Sequence, residues 1–385
     1  MRHNQYNQGF KFVQEPEGFS KYTDREILRF CLGAAMYMPG TKEFASKILN
    51  KKMPALTTMV FCFEDACPEA DVPAAEINVI NTLETLSTAI DNGDLTYDDL
   101  PLIFCRVRTP EQFEHFAGML TKHQAKVLAG INFPKFNTHN GDIYFARLKE
   151  LNEDLGEILY GMPIIEDSEV AHKETRLSEL LGIRAILDKY YDIVLQVRVG
   201  ATDFSSCFGV RRGVDYSIYD ISTVKECLTD ILNIFGRNND YIVSGPVWEY
   251  FRASKQMMYR DLPRYGFEDY LLRRKLIVNP EVDGLLREVI LDKANGFVGR
   301  TVIHPSHVIY VNALQAVTKE EYVDAVNILN SKEGGVFKGE NGNKMNEVKP
   351  HTNWATKIYM RGKAYGVIEN ESSYMNLFST AVEQL

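Results

Sequence analysis

The sequence predicts a (β/α)8 barrel, on the strength of three observations. Eight short apolar runs recur along the 385 residues. Most are continuously apolar rather than alternating, which is the pattern of parallel strands covered on both faces. Longer segments with helical spacing separate them, giving repeated strand–helix units. A doubly wound open sheet is the competing arrangement. It calls for a Gly-rich phosphate turn after the first strand, and Gly33-Ala34-Ala35-Met36-Tyr37-Met38-Pro39-Gly40 is no such turn.

The first two runs are Leu32–Met38 and Thr57–Phe63. Ala74–Asp91 follows as a helix, with Ile77, Ile80, Leu83 and Leu86 at helical spacing. The third run, Leu102–Arg108, leads into a helix over Pro110–His123 with Phe113, Phe116 and Leu120 on one face. Ala129–Phe133 is the fourth run. The fifth, Met162–Ile165, precedes a helix over Asp167–Asp188, and the sixth, Ile193–Val199, precedes one over Thr223–Phe235. Tyr241–Ser244 and Val298–Ile303 complete the set. The barrel is thus expected over residues 1–331, with a charged, aromatic-rich insertion at 249–283 and a Lys- and Asn-rich extension at 332–385 that opens Lys332-Glu333-Gly334-Gly335.

Composition narrows the function classes. A hydrophobic fraction of 45% and a charged fraction of 25% are those of an ordinary globular protein, which excludes disorder over most of the length. The formal net charge of −9 argues against a dedicated nucleic-acid binder. Cys31, Cys62, Cys67, Cys105, Cys207 and Cys227 form no C-x-x-C pair, so they read as reduced structural thiols of a cytoplasmic protein. The N-terminal segment has no apolar core of the signal-peptide kind, and no stretch approaches the ~20 apolar residues of a membrane span.

The carboxyl ends of barrel strands converge on the active site, so the residues there are the candidates. The second run ends in Glu64-Asp65, the third in Arg106-Val107-Arg108 and the fourth in Pro134-Lys135. The fifth ends in Glu166-Asp167, the sixth leads to Asp203, and the eighth ends in His304-Pro305. Ionised carboxylates are too costly to bury unpaired, and two of them at neighbouring strand ends suit a hard divalent ion such as Mg²⁺. Arginine and lysine nearby suit an anionic substrate. Judged singly, each residue has a plainer reading. Glu64-Asp65 and Asp203 read as helix caps, Arg106 and Arg108 as partners of a structural ion pair, Lys135 as a solvated loop residue and His304 as a turn histidine. The joint pattern is what raises Glu166, Asp203 and Arg106 above those readings.

In this order, the motifs resemble the citrate lyase β-subunit family, a group of metal-dependent lyases and aldolases in the phosphoenolpyruvate/pyruvate superfamily. Met38-Pro39-Gly40 resembles its first-strand turn, Phe63-Glu64-Asp65-Ala66 its Leu-Glu-Asp-Ala, Arg106-Val107 its Val-Arg-Val and Pro134-Lys135 its Leu-Pro-Lys. Ile165-Glu166 and Gly200-Ala201-Thr202-Asp203-Phe204 resemble its two metal-ligand segments. Gly296-Phe297-Val298-Gly299-Arg300 through Ile303-His304-Pro305-Ser306 resembles its Gly-Phe-x-Gly-Lys…Ile-His-Pro-Ser. The chain departs from the family at Cys62, where an Asp is usual, and at Glu347, which replaces the Asp of the tail's Lys-Met-x-Asp. It looks most like a divergent bacterial subgroup found in gene neighbourhoods linked to tellurite and stress resistance.

The resemblance implies a carbon–carbon lyase or aldolase acting on a keto acid or its CoA thioester, with Mg²⁺ held by Glu166 and Asp203. Arg106 would clamp the substrate carboxylate, Lys135 would add positive charge, and Pro39 and Gly40 would line the substrate site. Glu64 and Asp65 would hold metal-bound waters or position Arg106. Glu347 would serve as general acid or base from an extension that caps the active site or a neighbouring subunit, in a homo-oligomer (trimer or hexamer). A condensing enzyme of the phosphoenolpyruvate/pyruvate type and a non-catalytic citrate lyase-like subunit are the alternatives.

Overall fold

A computed structural model describes residues 1–251, 271, 277–331, 335–339, 342 and 344–382. Most of the expected insertion and the Lys332-Glu333-Gly334 opening of the extension therefore lie outside the described residues. Eight parallel strands form one sheet: β1 (Ala34–Pro39), β2 (Thr58–Cys62), β3 (Leu102–Arg106), β4 (Leu128–Phe133), β5 (Tyr160–Ile165), β6 (Val197–Val199), β7 (Val243–Ser244) and β8 (Arg300–Val302). They run in the order β7-β6-β5-β4-β3-β2-β1-β8. The sheet closes on itself because β7 and β8 also meet. Val298 N–H donates to Val243 O at 2.9 Å, Gly245 N–H to Gly299 O at 3.0 Å and Thr301 N–H to Gly245 O at 3.2 Å. This is the expected (β/α)8 barrel.

The strands form where the sequence is apolar on both alternating faces. Every residue of β2, β3, β4 and β5 is buried. Their outward faces seat the helices through packed rings: Phe133 stacks on Tyr144 at 4.5 Å and meets Phe113 at 5.5 Å, fixing helices Pro110–Met119 and Gly141–Leu155. Ring pairs of this kind add to plain area burial.

Two expected helices prove to be broken. Pro110–His123 divides after Met119, because Leu120 turns extended and Thr121 starts Lys122–Ala125 with a capping box closed by Gln124. Asp167–Asp188 divides at His172, which is extended; Asp167 caps Ser168–Ala171 and Lys173–Lys189 begins afresh. The sixth run is also shorter than expected, since Tyr191–Ile193 forms a 3-10 turn and only Val197–Val199 is strand.

The extension packs beneath the opposite pole of its own barrel. Its helix Val348–Tyr365 lies under residues that precede the strands: Asn239 donates to Asn353 O, Lys357 to Gly296 O and Tyr365 to Phe30 O. Its Val367–Ile368 pairs in parallel with Val317–Thr318. The described part of the extension therefore does not cap the cavity of its own chain, contrary to one of the two placements expected. The reason is the apolar face of this helix, whose Ala355, Ile358, Ala364 and Tyr365 are buried.

Candidate active site at the carboxyl ends of the strands

A cavity of about 530 Å³ opens at the carboxyl-end pole. Tyr37, Cys62, Arg106, Ile164, Glu166, Asp203, Glu249 and Thr301 are among the residues that line it. Its ionic centre is Arg106, at the last position of β3 and in register with Cys62 on one side and Asn132 on the other. The guanidinium reaches Glu64 at 2.7 Å, Glu166 at 3.0 Å and Asp65 at 3.2 Å. Lys135 adds a 2.5 Å contact to Glu64. Burial alone would push Glu64 up. Arg106 and hydrogen bonds from Asp65 and Lys135 outweigh it and hold the carboxyl at about 2.

Glu166 behaves in the opposite way. It is 5% exposed, and one carboxylate oxygen accepts from Arg106 and from the Lys135 backbone N–H at 3.0 Å. That N–H is aimed by a left-handed backbone at Lys135, φ +46°, a conformation a non-glycine residue adopts at some cost. The other oxygen lies against Gly200, where a β-carbon would sit 2.1 Å from it, so only glycine leaves it room. Burial pushes the Glu166 carboxyl up to about 7, Arg106 opposes the shift, and Asp203 adds to it by like-charge repulsion.

Asp203 lies in the first turn of helix Ala201–Cys207, one turn beyond the strand run that was expected to end on it. It does not cap that helix, because Gly200 is the N-cap and no side chain bonds there. Glu166 and Asp203 thus face one cavity as two repelling carboxylates, one buried and raised. That is a donor set a divalent cation suits. Among the described residues, no group of three or more His, Cys, Asp or Glu side chains is arranged to hold a metal ion by itself. Mg²⁺ needs none, since it is commonly held by one or two carboxylates with waters and substrate completing its shell.

The structure does not bring the remaining expected residues to the cavity wall. Pro39 ends β1, and Gly40 packs on the Phe63 ring, which a β-carbon would strike at 2.8 Å. Glu347 is exposed beside the helix that packs under the far pole, and its N–H donates to His351. Arg108 is structural, donating to the carbonyls of Phe63, Glu64 and Cys67. His304 caps helix Pro305–Gln315 and stacks on Phe251. Tyr37, Thr301 and Glu249 line the cavity, and the buried Arg198 and Asn132 support it from beneath; strand-end reasoning passed over all five. The available signal was a polar side chain inside an apolar run, as in Val197-Arg198-Val199 and Ile131-Asn132-Phe133.

The raised Glu166 carboxyl has a consequence for stability. The folded form holds the Glu166 proton up to about pH 7, above the ordinary carboxyl range, so its stabilising contribution is full below that range and is lost as pH rises through about 7. Without divalent ions, the melting temperature should fall between pH 5 and 8 by more in the wild type than in Glu166→Gln. Identical slopes for the two proteins would contradict this assignment.

An eight-stranded barrel with paired carboxylates and an arginine around a cavity at its carboxyl-end pole defines a TIM-barrel protein whose candidate site lies at the pole that fold uses for catalysis. A family model, C–C bond lyase of the TIM-barrel fold, matches residues 26–367, and the chain belongs to that family. No curated protein matches the chain. Among solved structures, it is similar to CitE of Mycobacterium tuberculosis in complex with magnesium, acetoacetate and coenzyme A, at 18% identity and a TM-score of 0.52, over 86% of this chain and 98% of that one. It is also similar to the M. tuberculosis citrate lyase β subunit with oxaloacetate and magnesium, at 18% identity and 0.45 over 74% and 96%, and to RipC of Yersinia pestis, at 14% and 0.46 over 74% and 95%. At these identities the likeness is one of fold, and it agrees with the citrate lyase β-like architecture expected from the motifs. No helix among the described residues is long and apolar enough to cross a membrane.

Proposed function

We propose that the chain is a Mg²⁺-dependent carbon–carbon lyase or aldolase acting on a 2-keto acid or its CoA thioester. The observation that carries this reading is the Glu166–Asp203 pair, two carboxylates in mutual repulsion on one cavity wall, with the Glu166 carboxyl raised to about 7. Membership of the C–C bond lyase family supports it, as does the fold shared with CitE, whose structure contains magnesium, acetoacetate and coenzyme A.

When bound, Mg²⁺ would neutralise the negative charge that develops on a keto oxygen as a neighbouring C–C bond breaks or forms. Glu166 and Asp203 would hold the ion. Arg106, already fixed by three carboxylates, holds Glu166 in place and presents positive charge at the cavity wall. Lys135 orients Glu166 through its N–H and neutralises Glu64 through its ammonium group. Glu347, exposed and away from its own chain's cavity, would handle protons only in the site of a neighbouring copy.

The test is thermal and spectroscopic. Mg²⁺ with pyruvate or oxaloacetate should raise the melting temperature more than either component alone. In D₂O, Mg²⁺ should also make the protein exchange the pyruvate methyl protons, followed by NMR. A melting temperature indifferent to Mg²⁺ and keto acid together would overturn the proposal.

A further inference from the structure

Arg198 is buried on β6 at 1% exposure and has no carboxylate partner among the described residues. Its Nη2 donates to Thr301 Oγ1 at 2.7 Å, its Nη1 touches Gln196 Oε1 at 3.4 Å, and its Nε has no partner. The guanidinium carbon lies 5.7 Å from the centre of the Tyr37 ring. The other cations around the cavity are matched by acids: Arg106 by Glu64, Asp65 and Glu166, Lys135 by Glu64, and Arg212 by Glu249 and Glu288. A buried guanidinium without a counter-charge is costly to desolvate. A ligand anion nearby would recover that cost.

The hydrogen-bond directions say where such an anion would sit. Arginine only donates, so Thr301 Oγ1 must accept from Arg198. The Thr301 hydroxyl proton is then free to point elsewhere, and Thr301 lines the cavity. Tyr37 sits two positions beyond the β1 residue in register with Thr301. Its hydroxyl is engaged by Asn132 Nδ2 at 2.6 Å, and Asn132 is fully buried. Two hydroxyls on neighbouring strands therefore face the cavity, backed by a buried positive charge. Glu166 directly follows β5, which stands opposite β1 in the closed order, and Asp203 lies in the helix after β6, two strands from β8, so all four side chains line the same cavity.

We propose that Thr301 and Tyr37, with Arg198 as the positioning residue behind them, form a subsite for a second carboxylate of the substrate. The substrate class is then a keto dicarboxylate or its thioester, with the keto acid end at Glu166 and Asp203 and the distal carboxylate on the two hydroxyls. This inference rests on the proposed function and adds the identity of the far end of the substrate.

The experiment compares oxaloacetate with pyruvate, each with Mg²⁺, by calorimetric titration of the wild type, Thr301→Val, Thr301→Ser and Arg198→Met. The wild type should bind oxaloacetate roughly tenfold or more tightly than pyruvate, the effect of a hydrogen bond to a charged group. Thr301→Val should erase that preference while leaving pyruvate binding unchanged, and Thr301→Ser should keep it. Arg198→Met should act like Thr301→Val. If it fails to fold, the threonine pair decides alone. A wild type with no preference, or a preference that survives Thr301→Val, overturns the subsite even where pyruvate and Mg²⁺ bind. Absence of any binding of Mg²⁺ with pyruvate overturns the proposed function, and the subsite falls with it.

Discussion

Asp203→Asn is expected to abolish the thermal stabilisation produced by Mg²⁺ with a keto acid. A ligand pair present at a hundred times its dissociation constant stabilises the wild type by about 2.7 kcal/mol, so the shift being lost is a large one. The substitution is nearly isosteric, and Asp203 caps no helix, so the fold itself should survive. A second readout separates loss of a ligand from general damage. Asp203 is one of the causes that raise the Glu166 carboxyl, so in Asp203→Asn the pH at which Glu166 titrates should fall from about 7. An unchanged ligand-induced shift in Asp203→Asn would remove Asp203 from the metal site.

Arg106→Met is expected to be the most destabilising single change at the cavity. It leaves Glu64 and Glu166, with side chains only 5% and 3% exposed, without the guanidinium that compensates them. Removing one partner of a buried ionic cluster costs about 3–5 kcal/mol, whereas removing the charge on both sides is far milder. Urea denaturation should therefore show a large loss in Arg106→Met and a partial recovery in Arg106→Met combined with Glu166→Gln. Strictly additive losses would mean that Arg106 and Glu166 are not coupled as their 3.0 Å contact requires. Arg106 is held as the ion-pair reading expects, its two terminal nitrogens on Glu64, Asp65 and Glu166, while its Nε has no partner.

The barrel was legible because its strands are buried on both faces, and continuous apolar runs such as Thr58–Cys62 and Leu128–Phe133 have few other uses. The breaks at Leu120 and His172 were not, since they depend on local capping that a hydrophobic stripe continues straight through. Glu64, Arg106, Glu166 and Asp203 could be read from their strand-end positions, and the structure gathers them around one cavity. Pro39 and Gly40 were drawn in by motif likeness, yet Gly40 packs on the Phe63 ring and neither residue is among those lining the cavity. Arg198 and Asn132 escaped because a polar residue within an apolar run looks like an interruption of the core, and only three-dimensional pairing with Thr301 and Tyr37 shows what it supports.

The seam where β7 meets β8 bears on how this barrel is assembled. It is joined by a few backbone bonds and, just behind them, by a buried ionic group in which Arg300 holds Glu288 and Asp292 while Arg212 holds Glu288 and Glu249. The sequence between those two strands is also the longest stretch separating neighbours in the second half of the sheet. Loop-closure entropy grows only with the logarithm of loop length, so extra residues there add little to the cost of bringing the last strand home. Charge, acting at the junction itself, supplies the latch that a short connection would otherwise provide. The barrel can thus lengthen at its joint without loosening the staves on either side.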